Sequence, residues 1–451
     1  MSHPSDLQVL ARFAATLDAS TVPPTILRTA KACLLYGLAV GIGTRRARPA
    51  ELALAAARCE EVSGPVTRLL DGARVPHGNA AFANAVLLSG RVQGDSHPCG
   101  HLGGVVIPAA LASAERHGSS GAALLAAQMA GYEVALRIGR DHAADLSVRG
   151  FRTTPSYGVF GAAVAAGRLA GFDAERIAAA ISLAANFAGG LREYVDAGSE
   201  ESPFQAGFAA RNGLYAADVA SRGLVATPTA LHGGAGFFRA FARDDVDYGA
   251  RLVEGLGSHF EFTTVTFKQY PACQFLRGII SGLAALRERA GSTALEAVEL
   301  RMHPYEADFI GVRFAGPFVS PAQTVMSAPF CAALAWVAGT ASFTGLRTYD
   351  DARVLDIVRR VTVITDPGCQ RYEPLITATL ADGRRLEWKE RAGDSGYRIT
   401  WEAARQMTDQ LCAEVDVPPA TTAALVLAVD SIETAPTVAR LVAAVTAATT
   451  A

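Results

Sequence analysis

The chain has 451 residues, 50% of them hydrophobic and 19% charged, and a formal net charge of -2. That length exceeds what one core ordinarily organises, so two domains are expected. The near-balanced charge leaves no electrostatic footprint for nucleic acid or for an anionic membrane surface.

From about residue 5 to 260 the pattern reads as helical nearly throughout. Stretches 49–62, 78–90, 105–117, 120–139, 158–170, 173–187 and 207–222 are rich in alanine and leucine between Gly, Pro and Asp/Ser punctuation. "GFDAERIAAAISLAAN" marks one start, with Asp173 as N-cap and Glu175 at the positive end of the helix dipole. The apolar run 162–190 is interrupted by Arg168, Asp173, Glu175 and Arg176, which reads as core helix rather than a membrane span. Near residue 262 the texture changes. "EFTTVTFKQYPACQF" is β-branched and aromatic, and a helix is expected at 273–289, followed by a strand in "ALEAVELRMHP". Another helix is expected at 321–338. "RRVTVITDPG" and "LITATLADGRRLEWKER" then read as strands, with Asp382-Gly383 supplying hairpin-turn chemistry. From about 399 helical periodicity returns. A helical domain of residues 1–261 together with 396–451, and an α+β domain of 262–395, is the resulting expectation.

The seven cysteines (Cys33, Cys59, Cys99, Cys273, Cys331, Cys369, Cys412) are scattered, with no CxxC pair and no Cys/His cluster at zinc spacing. Such usage reads as a reduced, cytoplasmic protein. "MSHPSDLQVLARFAATL" lacks the basic and then apolar pattern of a secretion signal.

"GDSHPCGHLGG" (94–104) gathers Asp95, Ser96, His97 and His101 in one loop. Pro98 and Gly100 argue against a helix carrying two histidine ligands, and no third ligand at metal spacing follows, so no metal is expected. A polar interhelix loop with a satisfied histidine is one reading. The other is a neutral-pH acid/base beside a helix start, "LGGVVIPAALASAE", whose backbone N–H groups cradle an anion. Lys268, in "FKQYPACQF", is one of three lysines with Lys31 and Lys389. It reads either as a surface residue opening a strand or as a carboxylate-holding group at an interdomain seam. Tyr270, Cys273 and Gln274 follow it, and Cys273 reads as a small buried residue rather than a nucleophile. "RGFRTTPSYGVFGAA" (149–163), with Arg152 and Thr153, is an anion-binding loop or a capped turn with solvated arginines. "GLVATPTALHGGAGFF" (223–238) is glycine-rich but lacks GxGxxG and a GK[ST] ending, against nucleotide binding.

Taken together, several stretches resemble the MmgE/PrpD family. "NAAFANAVLLSGRVQGDSH" is similar to NaAFxNGxxxHxxDFDDT, and "HLGGVVIPAALASAE" to HPSxxxxPAxxAxAE. "GFRTTPSYGVFGAAVAAGRLAG" resembles GFHxTxxxGxFGAAAAAAxLxG. "SPFQAGFAARNGLYAADVASRGLVA" resembles KPxHxGxAAxNGxxAAxLAxxGFTG, and "FKQYPACQF" resembles KxYPxC. The resemblance implies a mainly α fold, with a large all-α helical domain plus a smaller α+β lid domain. It also implies a cofactor-free active site between them and a homodimer acting on a small-molecule substrate.

The family's polar residues carry over only in part. DFDDT falls on Val92, Gln93, Gly94, Asp95 and Ser96, so the catalytic first Asp is replaced by Val92. His101 matches the active-site histidine and Lys268 the lysine of KxYP. Arg152 stands at the histidine of GFHxT, and Ser202 and Gln205 stand at the lysine and histidine of KPxH. On this resemblance His101 is the general base or acid, Lys268 holds the carboxylate or the developing enolate, and Asp95 fixes His97 or His101. Arg152 clamps an anionic group, with Ser96, Thr153, Gln205, Tyr270 and Gln274 completing the substrate site. His97 has no firm family counterpart. Losing a lysine and a histidine while gaining Arg152 removes about one charge-assisted hydrogen bond, each worth about 1.5–3 kcal/mol. The expected activity is a lyase, dehydratase or decarboxylase in type, on a substrate less acidic than methylcitrate or cis-aconitate. The alternatives are an isomerase, epimerase or cyclase using the same proton abstraction, or a degenerate member kept for binding.

Overall fold

Short-range capping chemistry sets many of the helix starts. Ser5 and Gln8 form a capping box on α1 (Asp6–Thr16), which is followed by α2 (Pro24–Thr44), α3 (Arg48–Arg58) and α4 (His77–Ser89). Next come α5 (Gly103–His117) and α6 (Gly121–Arg140), where the Ser120 hydroxyl accepts from Ala123 N. The series runs on through α7 (Ala143–Val148), α8 (Thr153–Leu169) and α9 (Ala174–Ala184). Asp173 caps α9 through Arg176 N, as the sequence predicts. The computed structural model describes residues 5–59, 62–243, 245–391 and 397–451. It is mainly α and divides into two compact units. The first is Met1–Leu191, Glu201–Val265 and Ile399–Ala451; the second is Arg192–Glu200 with Thr266–Arg398. Residues 192–200, which the sequence reading leaves in the helical domain, thus group with the second unit.

In the first unit α8 is the central element. Residues 154–167 are all buried, and α8 packs against α5, α6, α9 and the helix Ser202–Ala220. The close approach depends on missing side chains. A Cβ at Gly131 of α6 would lie 2.6 Å from Gly161 O of α8, and one at Gly161 would lie 2.8 Å from Gly131 O. The C-terminal helix Trp401–Ala413 packs on α2. Lys31, on α2 and buried, donates from Nζ to Glu433 Oε1 at 2.6 Å and to Asp430 O at 2.5 Å. By length and a mean hydropathy of 1.4, α2 is apolar enough to cross a membrane, yet 72% of that window is buried inside the protein.

The sequence expectation of helix nearly to residue 260 does not hold after Ala220. Among the described residues of 221–265 most are in turns, with one short helix, Phe237–Phe241, and a 3₁₀ turn at Glu261–Thr264. Gly, Pro and Asp recur too often there for a helix to propagate. The end of this segment, 252–262, is held by a buried ion pair on α6. Arg137 Nε meets Glu133 Oε1 at 2.6 Å, and the guanidinium also donates to the carbonyls of Leu252, Glu254 and His259. Glu133 Oε2 accepts from Phe262 N.

The second unit is built on a four-stranded sheet, Val361–Thr365, Leu295–Met302, Leu375–Leu380 and Arg385–Lys389 in spatial order. Leu295–Met302 runs parallel to Val361–Thr365 and antiparallel to Leu375–Leu380. The last two strands form the predicted hairpin, with Gly383 at φ 85°. Arg277–Ala290 and Ala328–Ala338 pack against the sheet and each other. The single helix expected at 321–338 is two, Pro321–Met326 and Ala328–Ala338. Ser327 breaks it by turning extended and capping the second helix through Phe330 N, with Pro329 in that helix's first turn.

Candidate active site

In the first unit, the segment between α4 and α5 is shaped by a tight turn. His97 and Gly100 exchange backbone hydrogen bonds of 3.1 and 2.8 Å, and Gly100 sits at φ 102°. A Cβ on Gly100 would lie 2.6 Å from Thr154 N, so the loop rests directly on the start of α8. Thr154 Oγ1 accepts from His101 N at 3.0 Å. The His101 ring is fixed at its other end, where Nδ1 lies 2.5 Å from Asp95 O. A carbonyl can only accept, so Nδ1 carries the proton and the basic lone pair of the neutral imidazole is on Nε2. That is the form in which a histidine removes a proton.

His97 does different work. Its Nδ1 accepts from Cys99 N at 3.1 Å, closing the turn, and burial lowers its pKa to about 4 despite a favourable charge from Glu261. It stays neutral at ordinary pH.

The expected anion cradle at the start of α5 exists, but the protein fills it. Gly103 N donates to both Asp95 carboxylate oxygens at 3.0 Å, and Tyr132 OH donates to Asp95 Oδ2 at 2.7 Å. Burial, and secondarily the Asp95 charge, pushes the Tyr132 phenol well above its usual pKa, so it remains a donor. Asp95 therefore orients His101 through its backbone carbonyl, while its carboxylate is anchored elsewhere. Ser96 is buried beside it in the same short strand, Asp95–Ser96.

At the N-terminus of α8, Arg152 is the N-cap residue and Thr153 the first helical residue. Arg152 Nη1 donates to Ser202 O and lies 3.3 Å from Gln205 Oε1, while Gln205 Nε2 donates to Leu191 O at 3.0 Å. Arg152 and Gln205, assigned separate tasks by sequence, form one tethered group.

In the second unit, Lys268 is buried, only 4% exposed. Burial raises the pKa of the neighbouring Cys273 thiol, and the Lys268 charge acts in the opposite direction. Tyr270 OH lies 3.1 Å from Ser281 Oγ. Gln274 Nε2 donates to Thr266 Oγ1 at 3.1 Å, while its Oε1 is buried without a hydrogen-bond partner among the described residues. Arg277, one helical turn on and buried, stacks over Tyr397 at 3.5 Å and Tyr372 at 4.9 Å. Among the described residues no group of three His, Cys, Asp or Glu side chains is placed to hold a metal ion.

Three residues escape the sequence reading. Thr154 stands at the threonine of GFHxT, a signal passed over in favour of Thr153. Arg277 lies just past the quoted KxYPxC stretch. Tyr132 carries no local signal at all, being one aromatic residue in an apolar helix.

Comparison with known proteins places residues 8–248 in the MmgE/PrpD N-terminal domain and residues 270–415 in the MmgE/PrpD C-terminal domain. The chain is 27% identical over 293 residues to cis-aconitate decarboxylase of Aspergillus terreus, covering 62% of this chain and 60% of that one. It is 29% identical over 225 residues to cis-aconitate decarboxylase of Homo sapiens, covering 48% of this chain and 45% of that one. The matched region thus spans less than two thirds of these relatives' length.

Proposed function

The chain belongs to the MmgE/PrpD family, and on that premise we propose that it is a cofactor-independent lyase acting on a small carboxylic acid. The observation that carries this reading is the His101 tautomer. With Nδ1–H donated to Asp95 O, the basic lone pair is on Nε2, which takes a proton from the carbon next to the substrate's carboxylate or carbonyl. Lys268 is assigned to the carboxylate, where its ammonium stabilises the negative charge that develops as the proton leaves. Preorganised stabilisation of that kind is worth about 2.7–4 kcal/mol for one donor. In dehydration the electron pair returns to form the double bond and expels hydroxide, which leaves as water with the proton from His101. In decarboxylation the carbon–carbon bond breaks to release carbon dioxide, and the carbon left behind takes a proton that His101 Nε2 has first taken up from solvent.

The relatives are named for cis-aconitate, but a less acidic substrate fits this chain better. Ser202 and Gln205 stand where the family motif has a lysine and a histidine, and Arg152 is already tethered to both. One charge-assisted contact fewer weakens a tricarboxylate by about one to two orders of magnitude.

His101→Gln should lower turnover by about 10²–10⁴ with an unchanged circular dichroism spectrum. Equal turnover in that variant removes His101 from the reaction. The same reading has the chain working as a cytoplasmic homodimer, for which light scattering should give about twice the 47.0 kDa chain mass.

A further inference from the structure

The helix dipole at the start of α5 is spent on a side chain of the protein itself. Asp95 is 4% exposed, and Gly103 N and Tyr132 OH both donate to its carboxylate. The same residue presents its carbonyl to His101 Nδ1, and Thr154 Oγ1 holds His101 N from the opposite side. We propose that Tyr132 and Thr154 are positioning residues which, through Asp95 and the His101 backbone, fix the imidazole in the Nδ1–H tautomer with Nε2 as the base.

The argument is geometric. A single carbonyl hydrogen bond orients a ring only if the carbonyl is itself immobile. The Asp95 peptide is held by a carboxylate that cannot move without breaking charge-assisted bonds to a helix start and to a buried phenol. There is no slack in that anchor, since a Cβ at Gly103 would lie 2.4 Å from Tyr132 OH and 3.0 Å from Asp95 Oδ1. Thr154 does the equivalent on the other flank, where the backbone of Gly100 approaches so closely that no side chain fits. Tyr132→Phe removes the phenol donor from Asp95 Oδ2 and leaves the Gly103 N–H bond to it. Thr154→Val removes the hydroxyl that accepts from the half-buried His101 N–H. Either change lets the loop relax and the ring choose its tautomer.

This inference rests on the assignment of His101 as the acid/base group, and its test reads the ring directly, without substrate. Nitrogen-15 spectra of histidine-labelled full-length protein report which ring nitrogen of His101 is protonated, with His101→Gln identifying the signal. In the unaltered protein Nδ1 should carry the proton. In Tyr132→Phe and in Thr154→Val the ratio should fall about tenfold toward the Nε2–H form, the worth of one ordinary hydrogen bond. Thr154→Ser, which keeps the acceptor, should restore the original spectrum. An Nε2–H ring in the unaltered protein overturns the proposal, as does an unchanged ratio in both variants. Should Tyr132→Phe fail to fold, the contrast of Thr154→Val with Thr154→Ser decides. Failure here is distinct from failure of the catalytic reading, which shows instead as turnover surviving His101→Gln.

Discussion

His97 and His101 lie four positions apart and illustrate how environment assigns roles to identical side chains. His101 Nδ1 faces a carbonyl, so its base points elsewhere; His97 Nδ1 faces an amide, so its base is used up closing a turn. Their types and spacing were legible in the sequence, but which ring nitrogen is engaged depends on backbone that only the fold supplies. The anion cradle shows the same limit. The helix start was readable from "LGGVVIP", whereas its occupant, Asp95, was assigned to a histidine instead. Val92, standing where the family motif has its first Asp, sits at φ 56°, a costly conformation for a β-branched residue. Neighbouring bonds hold it there: Arg91 Nε donates to Gln93 Oε1 at 2.7 Å, and Arg91 Nη1 donates to Gly43 O at 3.1 Å. A pH dependence follows at this scale. Burial lowers both His97 and His142 to about 4, and His142 is hemmed in by Tyr157, Phe237, Phe238 and Tyr248. Between pH 6.5 and 4 the unfolded chain binds protons that the folded chain refuses. The stability is therefore complete above about pH 6.5 and is lost as pH falls toward 4, by up to about 3 kcal/mol per histidine. Urea midpoints should drop steadily from pH 7 to 4.5, and the slope should lessen in His142→Gln. A flat midpoint across that range contradicts the account.

At the scale of elements, local chemistry was the readable part. Asp173 as an N-cap and Asp382-Gly383 as a turn act within a few residues of themselves, so their sequence is enough. The break at Ser327 is also local but competes with a strongly apolar run on both sides, and there the run dominated the reading. Long-range placement was opaque: residues 192–200 group with the second unit, and the turns of 252–259 are tied to α6 by the Arg137 guanidinium. The α6–α8 crossing shows why small residues line closely packed helices. A Cβ at Gly161 would meet Val106 Cγ2 at 2.6 Å as well as Gly131 O, forcing apart helices that the whole bundle shares. Gly161→Ala should cost about 1–3 kcal/mol by chemical denaturation. Gly189→Ala, where a Cβ would meet nothing within 4 Å, should stay within about 0.5 kcal/mol. Equal stabilities for the two would remove the packing argument.

For the whole molecule, the family and the mainly α architecture were legible because motif spacing survives over most of the chain, as the matches to residues 8–248 and 270–415 bear out. The substrate was not, because four positions that are polar in the family motifs are changed in this chain: Val92, Arg152, Ser202 and Gln205. His101 and Lys268 are retained, and a proton moved at carbon is the chemistry proposed for both. The most direct measurement incubates the protein in deuterium oxide with a panel of small hydroxy and unsaturated carboxylic acids, followed by mass and proton spectra. The account predicts that one of them loses water or carbon dioxide, and that His101→Gln abolishes this while remaining folded. Turnover of that acid by His101→Gln at the unaltered rate, or deuterium entering the carbon with no mass lost, contradicts it.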